Sequence, residues 1–306
     1  MQTANAAPWQ QRHRGFTIVE LLVVMAIIGI LVGLLIPVLQ SAKSGGRQTL
    51  ELSAARQLMA GYSNYAAINK DSVLPGYADW IPNDPSYPGA HLLHAYDATG
   101  KEITGGQLDI ARKRYLWRLA PYLKYNLRGL YTNENEELLG QLEQQDYVSY
   151  LYKATISPSL GLNTEWMGGD SSVYGFLPPE SPLRNALDFN HFYVSAMSQV
   201  LKPGTLLVFA SARGVDPDNP NTYVEGYFKV SSPYLAEPGG YRWSATFHPG
   251  DPPVQYGYLS PRYDGKAVIG FADGHAGMLT QDQLKDMRHW ANWATKADWK
   301  LPKLTP

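Results

Sequence analysis

Arg14-Gly15-Phe16-Thr17-Ile18-Val19-Glu20-Leu21-Leu22-Val23-Val24-Met25-Ala26-Ile27-Ile28-Gly29-Ile30-Leu31 opens a near-continuous apolar run that ends at Leu39. A run of this length crosses a bilayer as a helix. One carboxylate, Glu20, interrupts it close to its start. An acid in hydrocarbon costs at least ~2.5 kcal/mol and is rarely placed there without a partner. A secretory signal peptide has an apolar core of only about 7–15 residues and then a small-residue cleavage site. The present run is longer and carries an acid, so neither a secretory signal nor a plain anchor accounts for Glu20.

The leader before the run is polar and basic, with Arg12, His13 and Arg14, and it ends in Gly15. Gly15, Phe16, Thr17, two residues and then Glu20 in an apolar helix closely resemble the type IV pilin and pseudopilin signal. Hydrophobicity alone would not produce that spacing. The resemblance implies that prepilin peptidase, a membrane aspartic peptidase, cuts between Gly15 and Phe16 on the cytoplasmic side. The new amino group of Phe16 would then be N-methylated. A buried carboxylate is tolerable when paired with a buried cation. In pilin-like filaments that cation is the amino terminus of a neighbouring subunit, so the resemblance gives Glu20 the task of setting subunit register.

The expected organisation is a leader at 1–15, a transmembrane helix at 16–39, an amphipathic continuation at 40–70 and an exported head at 71–306. The cations of the leader keep it in the cytoplasm. Lys43 and Arg47 lie beyond the run, so charge alone does not orient the chain; the leader motif does. From Gln48 to Asn69, Leu50, Ala54, Leu58, Tyr62 and Tyr65 recur at helical spacing, with Ala55, Met59 and Ala66 beside them. Glu51, Arg56, Gln57 and Asn64 are expected on the opposite, polar side. One helix from Phe16 to about Asn69 would be ~80 Å long at 1.5 Å per residue. Gly29, Pro37 and Gly45-Gly46 are its weak points. The last pair reads equally as a hinge or a simple kink.

The head begins with loop composition from Asp71 to Gly89, rich in Pro, Gly, Asp and Tyr. Arg112–Tyr125 reads as helical, with Pro121 kinking it or ending it early. Glu134–Gln145 reads as a second helix. Ser157–Asn163 and Trp166–Asp170 read as structured loop. Thr205–Ala210, Tyr223–Val230, Ala267–Ala272 and His275–Leu279 read as strands, and Gln281–Thr295 as a helix. Asp273-Gly274 between two apolar segments predicts a two-residue hairpin turn with positive φ at both positions. Trp290 and Trp293 are expected to pack over the sheet. The fold class is therefore α+β and pilin-like: a long N-terminal hydrophobic helix packed on a C-terminal antiparallel β-sheet head.

The tail Arg262-Tyr263-Asp264-Gly265-Lys266-Ala267-Val268-Ile269-Gly270-Phe271-Ala272-Asp273-Gly274-His275 resembles that of a large planctomycete-type group of pilin-like proteins. Members of that group carry a His, nine residues, then Asp-Gly. Here Phe-Ala-Asp-Gly-His is intact, while Tyr263 stands in place of the leading His.

The formal net charge is −1, and loss of Arg12 and Arg14 with the leader takes it to about −3. A nucleic-acid partner would need a basic face, so none is expected. There is no cysteine, which removes disulfides and thiol chemistry. No nucleophile elbow, phosphate loop or zinc-type His-Glu-x-x-His motif is present, so the chain is not expected to be an enzyme. The richest oxygen cluster is Asp216-Pro217-Asp218-Asn219-Pro220-Asn221, followed by Glu225. Pseudopilins of secretion systems commonly hold calcium in a head loop, but this segment lacks EF-hand spacing. A solvated turn without cofactor is the expectation there, and calcium is the alternative. Asp264, Asp273, His248 and His275 form a second set that a cation would draw together.

The resemblance implies a structural subunit of a type II secretion-like pseudopilus or a type IV pilus-like filament. Its partners would be identical or related subunits, prepilin peptidase, the membrane, and a secretion or pilus assembly platform. It would be a single-pass protein of the cytoplasmic (inner) membrane, its head in the periplasm or at the cell surface. One alternative is a minor tip subunit or adhesin for a glycan or secreted substrate, favoured by the large head and its 21 Tyr and 8 Trp in the whole chain. The other is a membrane-anchored envelope enzyme, which a deep polar pocket would favour.

Overall fold

A computed structural model describes residues 17–78, 80–81, 91–132, 135–170, 172, 193–234 and 242–300, with the backbone alone at 80–81 and 91–92. The leader at 1–15 and Phe16 lie outside the described residues, as does the Pro82–Pro85 part of the expected loop. The chain divides into two compact units, residues 1–46 and 47–306. Helix α1 (Ile18–Ile68) contributes to both. Gly45 and Gly46 both lie within it, and the unit boundary follows Gly46.

In the first unit α1 is apolar on every side. Ile18, Leu22, Met25, Leu31 and Leu35 are all exposed. An 18-residue apolar window of this helix has none of its residues buried, and the helix is long enough to cross a membrane. Pro37 sits inside it and removes one backbone donor.

In the second unit α1 becomes one-sided. Glu51, Ala54, Ala55, Leu58, Met59, Tyr62 and Ala66 are buried, a stripe at three- and four-residue spacing. Two expectations reverse here. Leu50, expected inside, is 61% exposed, and Glu51, expected on the polar side, is fully buried.

The head carries nine strands among the described residues: β1 (Trp80–Ile81), β2 (His91–Leu92), β3 (Leu160–Asn163), β4 (Leu207–Ser211), β5 (Arg213–Val215), β6 (Tyr223–Glu225), β7 (Lys229–Val230), β8 (Lys266–Phe271) and β9 (Ala276–Thr280). β1 pairs β2 and β5 pairs β6, both antiparallel. The principal sheet has the order β7-β3-β4-β8-β9 and is antiparallel throughout, except for the edge pair β3–β7. β4 lies at its centre and is buried at all five positions. Its unbroken apolar reading follows from cover on both faces. One face packs Phe209, Val208, Leu160, Leu162 and Val268 against Ala55, Leu58, Met59 and Tyr62 of α1. The other gathers Leu207, Ile269 and Leu279 with Trp166, Trp243 and Trp290. α1 passes so close to β8 that a Cβ on Gly270 would lie 3.0 Å from the Met59 side chain.

Several segments differ from the sequence reading for identifiable reasons. β3 occupies the segment expected as loop; its Gly161 is a place of close backbone approach, since a Cβ there would lie 2.7 Å from the Lys229 backbone. The expected helix at 112–125 is three pieces: α2 (Leu108–Lys113), α3 (Tyr115–Leu119) and a 3₁₀ turn at Ala120–Leu123. Arg114 between the first two is extended, and the turn carrying Pro121 ends at left-handed Lys124. The second expected helix forms as α4 (Asn135–Gln145) and is followed by α5 (Tyr147–Lys153), which Asp146 caps. The expected strand 223–230 is cut at Gly226, whose φ is +104°, so β6 and β7 enter different sheets. Helix α6 covers only Gln281–Leu284 instead of running to Thr295. Beyond it the Met287 amide bonds Ala297 and the Trp290 indole bonds the Leu284 carbonyl at 2.8 Å, folding the chain back on the second core. Trp290 is wholly buried there and Trp293 is 36% exposed.

Candidate functional site

The first candidate site is the opening turn of α1. Thr17 precedes the helix, and its backbone N–H and hydroxyl both donate to Glu20 Oε2, at 2.9 and 2.8 Å. The Glu20 backbone N–H donates back to the Thr17 hydroxyl at 3.2 Å. This is a reciprocal capping box, which satisfies amide donors that a helix start leaves unpaired. The carboxylate also suits the positive end of the helix dipole. Glu20 therefore has a local role in its own chain. Thr-x-x-Glu ahead of an apolar run is the signature of such a box in sequence.

The second candidate site joins α1 to the tail. Glu51 is buried, and its carboxylate collects donors from three segments of the head. Arg262 donates through Nε at 3.0 Å and Nη2 at 2.7 Å to Oε2. The Tyr263 hydroxyl donates to the same oxygen at 2.6 Å, and the Thr132 hydroxyl at 3.2 Å. The Ser211 hydroxyl donates to Oε1, and itself accepts from the Val268 amide at 2.8 Å. Arg262 spends its remaining reach on the carbonyls of Ala212, at 2.9 Å, and Ser159, at 3.0 Å. Burial pulls the Arg262 guanidinium down, but the adjacent Glu51 carboxylate outweighs it and holds its pKa above the ordinary value. Burial and then the Glu51 charge push the Tyr263 phenol well up.

Turn geometry delivers Tyr263 to this place. Tyr263 and Lys266 exchange both backbone hydrogen bonds around Asp264-Gly265, whose φ values are +52° and +72°. That is a two-residue turn with positive φ at both positions. The sequence reading assigned this geometry to Asp273-Gly274 instead. There the structure has a longer β8–β9 connection: the Gly274 amide bonds the Phe271 carbonyl, and Gly274 alone takes positive φ, +93°. Asp273 turns back on His275, its Oδ1 lying 2.5 Å from the ring Nδ1. Burial works against the charge of Asp273, but the His275 backbone and ring bonds prevail and hold its carboxyl below the usual range.

The remaining candidates lie apart. Asp216, Asp218, Asn219 and Asn221 form the β5–β6 connection. Asp216 Oδ1 accepts the Asp218 amide at 2.9 Å, and Asp218 meets Lys153 at 2.6 Å. His248 bonds Thr246 at 3.2 Å. Among the described residues, no group of three or more His, Asp or Glu side chains is arranged to hold a metal ion. Two further buried ion pairs went unread: Glu165 with Arg242, at 2.9 and 2.7 Å, and Asp170 with Lys229, at 3.0 Å. No local pattern marks either partner in the sequence.

Residues 10–36 match the family model described as the prokaryotic N-terminal methylation motif. No curated protein and no solved structure matches the chain. The motif match supports a type IV pilin-like or pseudopilin-like precursor, and with α1 it supports membrane anchoring. A motif of this type implies processing by prepilin peptidase and, in general terms, assembly into filaments.

Proposed function

We propose that the chain is a non-catalytic structural subunit of a type II secretion-like pseudopilus or a type IV pilus-like filament. The observation that carries this reading is the change of character along α1. The matched motif leads into a helix segment with its apolar surface unburied, and the same helix then forms one wall of the head core. Such a helix suits a subunit that waits in a bilayer and later packs against other copies. Cleavage falls between Gly15 and Phe16, Phe16 receives the methyl group, and residues 16–39 span the cytoplasmic (inner) membrane. The head lies in the periplasm or at the cell surface. Glu20 pairs with the amino terminus of a neighbouring subunit, and the assembly platform draws the processed chain from the membrane.

The deciding experiment compares the sheared-filament fraction with washed membranes from cells expressing a complete assembly system. Recovery of the mature chain in the sheared fraction is the expected result. Its confinement to membranes, with processing complete, would overturn the reading.

A further inference from the structure

We propose that Glu51, Arg262 and Tyr263 form a latch by which the chain's tail locks α1 onto the head, so that the head closes only after the tail has docked. The receptor is a carboxylate with no access to water, set in an otherwise apolar stripe of α1. A buried acid without a counter-charge is costly, and removing one partner of such a pair is far worse than never having it. Every strong donor that meets Glu51 comes from far along the chain. Ser211 lies 160 residues away, Arg262 211 and Tyr263 212. Among the described residues, the sole guanidinium bonded to Glu51 is that of Arg262. Until residues 262–263 arrive, α1 presents an acid that the core cannot accept.

The latch also fixes register. Arg262 Nη1 and Nη2 hold the carbonyls of Ala212 and Ser159, so one side chain ties α1, the end of β4 and the approach to β3 together. The Asp264-Gly265 turn leaves Tyr263 no freedom to slide along β8. Tyr263 adds a donor without adding charge, so one acid remains balanced by one cation. Glu225 is the other carboxylate whose charge acts on Arg262.

The test is site-resolved hydrogen exchange on the full chain in detergent. It compares the wild type, Tyr263→Phe, and Tyr263→Phe in a Glu51→Leu/Arg262→Leu background. Tyr263→Phe removes a single oxygen and leaves the ring to pack. The latch predicts that exchange over residues 54–66 of α1 speeds about tenfold, the loss of one hydrogen bond to a charged group. The β4 and β8 amides should keep wild-type protection. In the apolar background the same change should have no effect on α1. If helix and sheet amides accelerate together, or neither changes, the latch does not exist. An undiminished effect in the apolar background would assign it to ring packing and also overturn the proposal. Should that background fail to fold, Arg262→Lys provides the second arm. It keeps the charge but loses the fork, and must loosen α1 ahead of the sheet.

Discussion

Thr17 and Glu20 bond to each other in both directions, with hydroxyl to carboxylate at 2.8 Å and amide to hydroxyl at 3.2 Å. The acid in the apolar run thus closes its own helix start, and the proposed pairing with a neighbour would start from that fixed position. Capping and pairing are separable. Thr17→Val removes both hydroxyl bonds of the box, leaves the residue 17 amide on the carboxylate and keeps the acid, whereas Glu20→Ala removes box and acid together. With membrane levels matched, Glu20→Ala should reduce recovery in sheared filaments by about tenfold or more, as expected for loss of a buried charge pair. Thr17→Val should retain most of it. Equal losses in the two variants would assign Glu20 to capping alone.

Processing follows from Gly15 and Phe16. Intact-mass measurement of the membrane-extracted protein should show loss of residues 1–15 and one added methyl group on Phe16. A mature start at any other residue contradicts the assignment.

The Glu51–Arg262 pair sets a pattern of stabilities. Arg262→Met strands a buried carboxylate and should cost about 3–5 kcal/mol. Glu51→Met with Arg262→Met removes both charges and should recover most of that loss. Urea unfolding of the head, followed by tryptophan fluorescence, measures the two against wild type. A double variant no better than the single one would show that the charges are not coupled.

The two Asp-Gly turns should respond alike to β-branched residues. Gly265 and Gly274 both take positive φ, at +72° and +93°. No neighbouring heavy atom lies within 4 Å of a Cβ at either place, so any cost comes from the backbone. Val at either position should cost about 1–2 kcal/mol. Gly265→Asn should be nearly neutral, because Asn tolerates that region. Thermal melting of the three variants is the check; an unchanged Gly265→Val would refute the turn assignment.

Asp97 should make one loop acid-sensitive. Burial raises its carboxyl, but the Thr99 hydroxyl, the Lys101 and Thr99 amides and the Tyr147 hydroxyl bond the ionised form and bring it below 3.8. The folded-state value is depressed, so the stabilisation is complete above 3.8 and disappears as pH falls through the lower folded value. Exchange at the Lys101 amide should therefore quicken below that range in wild type. Asp97→Asn should show no such acid step.

Much of this was legible in sequence because the relevant physics is local. The long helix, its change from apolar all round to one-sided, and the central strands at β4 and β8 follow from runs and periods. What escaped depends on distant partners. Glu51 looks polar beside Arg56 and Gln57, and only Arg262, 211 residues later, makes its burial tolerable. Gly161 reads as a loop breaker until the Lys229 backbone is seen against it. The Asp-Gly rule was sound, but the chain has two such pairs and the two-residue turn belongs to the first. Trp290 and Trp293 sit at helical spacing, yet the Met287–Ala297 bond folds their segment back before a helix can extend.

The change of character along α1 gives its two stretches different tolerance to sequence drift. Before Gly46 the described side chains of α1 are exposed, so one apolar residue can replace another with little consequence for the head. After Arg47 each position of the buried stripe is measured by a neighbour. A methyl group on Gly61 would meet the Leu123 side chain at 2.6 Å, and Met59 already lies against Gly270. Relatives of this chain should therefore vary freely in which apolar residue they use in the first stretch. In the second they should change only in concert with the strands and helices that face it.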